Sequence, residues 1–234
     1  MPAEPPPTPA GLHRLDLGRV NAFVLDLPGG RVLVDTGFPH TVDLVRRRLD
    51  EAGGPPPDLI AVTHSHPDHA GGVAELAETT GVPVAMHPRT AELLADGDGG
   101  APLKPGPFTD AQVLGETNDR LIVPPYDGAI ELTPGEAVPG FPGLLTVDAP
   151  GHAQGQIALL ASLDDGSRVL VAADAAANLD RLRLVRVAED HDLALESARS
   201  IAALDFDVAA FGHGTEVGPD AAWHWRDIWP PRPA

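Results

Sequence analysis

Three histidines and an aspartate fall within the six residues His64-Ser65-His66-Pro67-Asp68-His69, directly after the apolar run Leu59-Ile60-Ala61-Val62. The apolar run reads as a buried strand, and the polar residues read as the loop leaving its end. In extended chain, residues two apart point to the same side, so His64 and His66 can grip one ion. Pro67 turns the chain, and Asp68 and His69 then project toward a second position nearby. A loop of this kind constrains the fold, because it has to stand at the rim of a sheet to which other strands bring the remaining ligands. Imidazole nitrogen and carboxylate oxygen are the donors that zinc, iron and manganese accept. A closed structural zinc site more usually employs cysteine, and this chain contains none. A merely His-rich surface loop would not bring the apolar strand, the ligand loop and the helix entry at Gly71-Gly72 together.

Three later segments offer the missing ligands: Ala149-Pro150-Gly151-His152, Val169-Leu170-Val171-Ala172-Ala173-Asp174, and Ala209-Ala210-Phe211-Gly212-His213. Each sets one His or Asp just after an apolar run, where a strand end presents its side chain at a sheet rim. The residues so presented are His152, Asp174 and His213.

The order Val34-Asp35-Thr36-Gly37, then the His64–His69 loop, then Pro150-Gly151-His152, Ala172-Ala173-Asp174 and Gly212-His213-Gly214 resembles the metallo-β-lactamase-fold hydrolases over about residues 20 to 216. The resemblance implies an α/β fold of the αββα sandwich type, two mixed β-sheets packed face to face and flanked by helices. It implies that His64, His66 and His152 hold one metal ion, that Asp68, His69 and His213 hold a second, and that Asp174 bridges the two. It further implies that the Asp35 turn buttresses the metal loop. Relatives often carry a second histidine where Gln156 stands, a position that is not a ligand. Within the family the pattern is similar to the glyoxalase II-like and lactonase-like branch. The ligand set and length resemble acyl-homoserine lactonases, whereas glyoxalase II carries a C-terminal glutathione-binding helical domain and only 21 residues follow His213 here, so that specificity is not the expectation.

The chain of 234 residues carries 16 basic and 34 acidic side chains, a formal net charge of −18. Such a field repels nucleic-acid phosphates, so no nucleic-acid partner is expected, and Arg46-Arg47-Arg48 reads as the solvated face of a helix. No run approaches membrane-spanning length, and the N-terminus lacks the basic start and apolar core of a secretion signal. A cytoplasmic location without membrane contact is the expectation.

Residues 1–10 form a proline-rich lead, read as flexible, and residues 11–234 are read as one domain. Strands are expected at 21–26, 31–34, 59–62, 82–86, 144–147, 157–162, 168–172 and 208–211. Helices are expected near 40–52, 70–80 and 190–204. Residues 95–128 break this rhythm with glycine and proline, and long loops in compact domains are commonly functional. They read as an insertion lining the substrate pocket, with Phe108, Leu114, Leu121, Ile122 and Tyr126 as its contacts, or else as side chains that anchor the loop to the body. His87, His13, His40, His191 and His224 lie outside every motif and are read as structural or surface residues. Trp225 and Trp229, four apart, are expected to dock a C-terminal helix on the body, a homodimer contact being the other reading.

The chemistry that follows is hydrolysis of a small acyl substrate, an ester, thioester or lactone. Two divalent ions, zinc first with iron or manganese also suited to the donors, share a water whose pKa falls toward about 7. Asp68 is the candidate to orient the resulting hydroxide and pass its proton to the leaving group. Two other readings stand beside this one: a mononuclear iron enzyme of the persulfide dioxygenase type, and a metal-binding module without catalysis.

Overall fold

The apolar runs of this chain are continuous more often than alternating, the pattern of strands covered on both faces. In the computed structural model, which describes residues 9–106 and 121–232, such strands build two sheets. The first contains β1 (Leu12–Asp16), β2 (Asn21–Leu27), β3 (Gly30–Val34), β4 (Leu59–Val62), β5 (Val84–Met86) and, after the short β6 (Lys104–Pro105), β7 (Ile130–Glu131). They lie side by side in the order β1-β2-β3-β4-β5-β7. The second contains β8 (Ala137–Val138), β9 (Phe141–Asp148), β10 (Ile157–Ser162), β11 (Arg168–Val171) and β15 (Val208–Ala210), in the order β15-β11-β10-β9-β8. Two small ribbons complete the strands: β12 (Ala177–Asn178) with β13 (Leu182–Arg183), and β14 (Val187–Ala188) with β6.

Side-chain alternation sorts each strand between two layers. Phe23 and Leu25 of β2, Val32 and Val34 of β3, Ala61 of β4, Leu159 of β10 and Val169 and Val171 of β11 meet between the sheets. The intervening Val24, Leu33, Ile60 and Val62 turn outward to α1 (Val42–Ala52), α3 (Val73–Thr80) and α4 (Pro88–Ala95). Ala158, Leu160 and Leu170 turn outward on the other side, to α5 (His191–Ile201) and α6 (Ala221–Ile228). The result is the four-layer αββα sandwich expected from the sequence. Among the described residues, no helix is long and apolar enough to cross a membrane.

The expected elements are present, with shifted ends, and several others join them. β2 and β3 pair antiparallel with Leu27 opposite Gly30, so Pro28-Gly29 makes the turn, Gly29 taking the positive φ of +106° that a type II turn needs. The helix expected at 70–80 is divided into α2 (Pro67–Ala70), with Gly71 as its C-cap, and α3, with Gly72 as its N-cap. The helix expected from residue 40 starts at Val42, after a 3-10 turn over Pro39–Thr41. Strand β1, the short strands β6, β7, β8, β12, β13 and β14, and helix α4 lie outside the expected elements. In α6, Trp225 and Trp229 are buried and the Trp225 indole donates to the Ala198 carbonyl at 2.8 Å. Trp223 points to solvent.

Of the proposed contacts in 95–128, Phe108 and Leu114 lie outside the described residues. Tyr126 packs on the layer between the first sheet and its helices, Ile122 is exposed, and Leu121 is half-buried.

Candidate metal centre

The direction of the strands brings the seven residues to one rim. β3, β4 and β5 run parallel, so the Asp35 turn, the His64 loop and His87 leave the same edge of the first sheet. β9 and β11 both run antiparallel to β10 and β15 runs parallel to β11, so His152, Asp174 and His213 leave one edge of the second. The two edges are tied where the Ile157 N–H donates to the Thr63 carbonyl at 3.0 Å.

There the nitrogen and oxygen donors fall into three overlapping groups, each with its atoms within 4.8 Å of one another: His64, His66 and His152; Asp68, His69 and His213; and His64, His69 and Asp174. Asp174 lies between the first two. Its Oδ2 is 3.4 Å from His152 Nε2 and 3.2 Å from His213 Nε2, and its Oδ1 is 3.5 Å from His69 Nε2. Asp68 Oδ2 stands 3.4 Å from His213 Nε2 and 3.8 Å from His69 Nε2. The glycine of Gly212 is needed here, since a Cβ would fall 2.3 Å from Asp174 Oδ1.

The outer partner of each ring decides which nitrogen carries its hydrogen. A carbonyl can only accept, so His152 Nδ1–H donates to Val187 at 2.8 Å and His213 Nδ1–H to Arg19 at 2.8 Å. His69 Nδ1–H donates to Asp35 Oδ2 at 2.8 Å. Thr63 donates its hydroxyl to Asp35 Oδ2 at 2.8 Å, so its oxygen is left to accept from His64 Nδ1–H at 3.0 Å. Each of these four rings therefore directs Nε2 inward: His64 and His152, held uncharged by burial, as a bare lone pair, and His69 and His213 as a nitrogen whose lone pair is freed when the ring loses its second proton. His66 Nδ1 lies 3.1 Å from the bare nitrogen of His64 and 2.9 Å from that of His152. A single hydrogen on His66 could serve only one of them. Buried His69 Nε2 and Asp174 Oδ1 have no hydrogen-bond partner. Imidazole nitrogens and carboxylate oxygens converging in this way suit divalent metal ions.

Burial and charge divide the cluster. Burial, reinforced by His69, His66 and His152, holds His64 well below the usual imidazole range, and burial with His152 lowers His66 to about 3. Burial also opposes a charge on His69 and His213, yet Asp174 and Asp68 outweigh it, raising His69 to about 9 and His213 well above its ordinary value. For Asp68 and Asp174 burial again opposes the charge, and the facing histidines, His69 first for Asp68 and His213 first for Asp174, overcome it and hold both carboxylates below their usual range.

A pH dependence follows, with a definite sign. His66 is uncharged in the fold but takes a proton near pH 6.5 when unfolded, so the metal-free protein loses stability as pH falls from there toward about 3. The contribution of His69 has the opposite sign: it is fully present below about pH 6.5 and lost as pH rises through about 9. Metal uptake should be staged in the same way, because a ligand nitrogen must be free of its proton. Titration of metal-free protein with zinc is expected to give one tight equivalent at about pH 6, at His64, His66 and His152, and a second at about pH 8.5 with proton release. Equal stoichiometry and no proton release at both values would contradict this.

Motif reading did not single out Thr63, Ser65 or Glu189, nor the carbonyls of Arg19 and Val187. Thr63 and Ser65 could have been noticed beside the histidines; the others carry no local signal. Asp35 and Ala173 take positive φ of 63° and 47°, strained backbone at the turn before the metal loop and at the turn presenting Asp174. His87 lies at the rim, and its Nδ1 accepts the Arg89 N–H at 3.0 Å to cap α4, a structural role.

Comparison with known proteins places this geometry among relatives. The sequence model of the metallo-beta-lactamase superfamily matches residues 15–213. The probable metallo-hydrolase YflN of Bacillus subtilis (strain 168) is 27% identical over 233 residues, covering 87% of this chain and 84% of that protein. Among solved structures, a Cronobacter sakazakii metallo-beta-lactamase with a HARLDQ motif superposes with a TM-score of 0.66 at 23% identity, over 87% of this chain and 75% of its own. BJP-1, a subclass B3 metallo-beta-lactamase of Bradyrhizobium japonicum, gives 0.64 at 22% identity, with the same coverage of 87% and 75%.

Proposed function

Because this chain belongs to the metallo-beta-lactamase superfamily, we propose that it is a metal-dependent hydrolase of a small ester, thioester or lactone. In this reading His64, His66 and His152 hold one divalent ion, Asp68, His69 and His213 hold a second, and Asp174 bridges them. Zinc suits the nitrogen and oxygen donors best.

The observation that carries the reading is the place of Asp174, buried between the two triads with Oδ1 unpartnered and Oδ2 facing two histidines. Bound divalent ions would supply Lewis acidity and a water acidic enough to act near neutral pH. The chain's own residues supply the rest. The outer partners of His64, His69, His152 and His213 fix four Nε2 atoms before any ion arrives, so little reorganisation accompanies binding. Asp68 is the carboxylate of the site that is open to solvent, with 22% of its side chain exposed against 4% for Asp174. Its exposed oxygen is placed to accept a proton and deliver it to the departing alkoxide or thiolate. The side chains of His64, His66 and His152 are themselves buried.

The test is a panel of activated esters, thioesters and lactones. A β-lactam belongs in it, since the two solved structures compared are metallo-beta-lactamases. Chelator-treated protein is expected to lose turnover and to regain it with zinc, and the rate is expected to fall below about pH 7. Turnover untouched by metal removal overturns the proposal.

A further inference from the structure

Buried carboxylates are uncommon unless paired, yet Glu189 is buried outside the seven-residue cluster, and its carboxylate accepts from two backbone N–H groups. Its Oε1 accepts the Ala101 N–H at 2.9 Å and its Oε2 accepts the Gln154 N–H at 3.0 Å. Its own N–H donates to the His152 carbonyl at 3.1 Å, and the next residue, Asp190, donates to the Gly151 carbonyl at 2.8 Å. The strand leading to it supplies Val187, whose carbonyl orients the His152 ring.

The Ala101 side of this junction leads to the other metal loop. Gly99 accepts the hydroxyl of Ser65 at 2.9 Å, and Ser65 stands between His64 and His66. Gly100 fits closely over the carboxylate, where a Cβ would lie 2.7 Å from Oε1. A continuous series of bonds therefore runs from the His64 loop through 99–101 and Glu189 to the His152 loop.

We propose that Glu189 is a positioning residue whose carboxylate staples segment 99–101 to the loop of His152, and so fixes where the His152 ring meets those of His64 and His66. The proposal rests on the metal-binding reading of that triad. Charge-assisted bonds to two N–H groups suit a carboxylate and no neutral isostere. In Glu189→Gln the amide keeps one acceptor and turns an N–H toward a backbone N–H, opening one arm of the staple without changing its size.

Metal affinity by chelator competition and the absorption bands of the cobalt(II)-substituted protein are the measurements. Glu189→Gln should weaken the tighter ion about tenfold, the lower end of the effect of outer partners on metal ligands, and shift the cobalt bands. Thr90→Ala is the structural control: Thr90 donates to the Gly155 carbonyl at 3.0 Å, holding the same loop from α4 without touching 99–101. It should lower Tm and leave the cobalt bands in place. Wild-type affinity and spectrum in Glu189→Gln, or the same spectral shift in Thr90→Ala, would overturn the proposal. Wild-type protein that binds neither zinc nor cobalt would overturn the metal reading itself, and the staple with it.

Discussion

Replacing Asp174 with alanine is expected to strip metal from both halves of the cluster, and to lower hydrolysis about a thousandfold. Its two oxygens face His152 and His213 on one side and His69 on the other, so among the described residues it is the carboxylate outside the triads that faces both of them. An ion in a dinuclear site stabilises charge in the transition state by several kcal/mol. A loss of about 4 kcal/mol corresponds to about three powers of ten in rate. Elemental analysis should fall from about two ions per chain to below one, whereas His213→Ala should keep about one, at the inner triad. Asp174 also compensates the charge of His69 and His213, so melting curves belong beside the metal analysis, with Asp174→Asn as the variant that keeps the shape. Two ions retained in both Asp174 variants would refute the bridging assignment.

A loss of about a hundredfold in metal affinity is expected of Asp35→Asn, although Asp35 lies in none of the triads. Its Oδ1 accepts the Thr63 N–H at 2.8 Å, while Oδ2 accepts the Thr63 hydroxyl at 2.8 Å and His69 Nδ1–H at 2.8 Å. All three partners donate, and asparagine offers one acceptor where two are used. The amide hydrogens would then face a donor. Either His69 moves its proton to Nε2, which abolishes its inward lone pair, or Thr63 turns away and releases His64. Because two rings depend on this carboxylate, the loss belongs at the upper end of the effect of outer partners on metal ligands. Asp35→Asn with wild-type zinc affinity and an unchanged pH dependence of uptake would show that the hub does not govern the rings.

Much of the sandwich was legible because its strands are apolar on both faces and its ligands follow directly on strand ends. Leu59–Val62 and the loop after it announce both facts within ten residues. Strand β1 escaped because only Leu12 and Leu15 are buried in it, three apart, a spacing that does not alternate. Helix α4 escaped because it is eight residues long, begins at Pro88, and draws its N-cap from a histidine. The division of α2 from α3 was written in Gly71-Gly72, but its meaning depended on what packs there: a Cβ on Gly71 would fall 2.3 Å from Pro39 and one on Gly72 2.8 Å from the Thr36 carbonyl.

The sequence by itself determined which side chains could meet at the rim, because residue spacing fixes the side of a strand from which each one leaves and apolar runs fix where the strands end. It named His64, His66, Asp68, His69, His152, Asp174 and His213 on those grounds and on resemblance. Which nitrogen of each ring faces inward was decided only by the tertiary structure. That choice depends on Val187 for His152, on Arg19 for His213, and on Asp35, directly or through Thr63, for His69 and His64. The place of Asp174 between the triads and the junction at Glu189 were decided in the same way. A carbonyl exposes no side chain to read, and a carboxylate with backbone partners at residues 101 and 154 leaves no local pattern, so only packing could assign them.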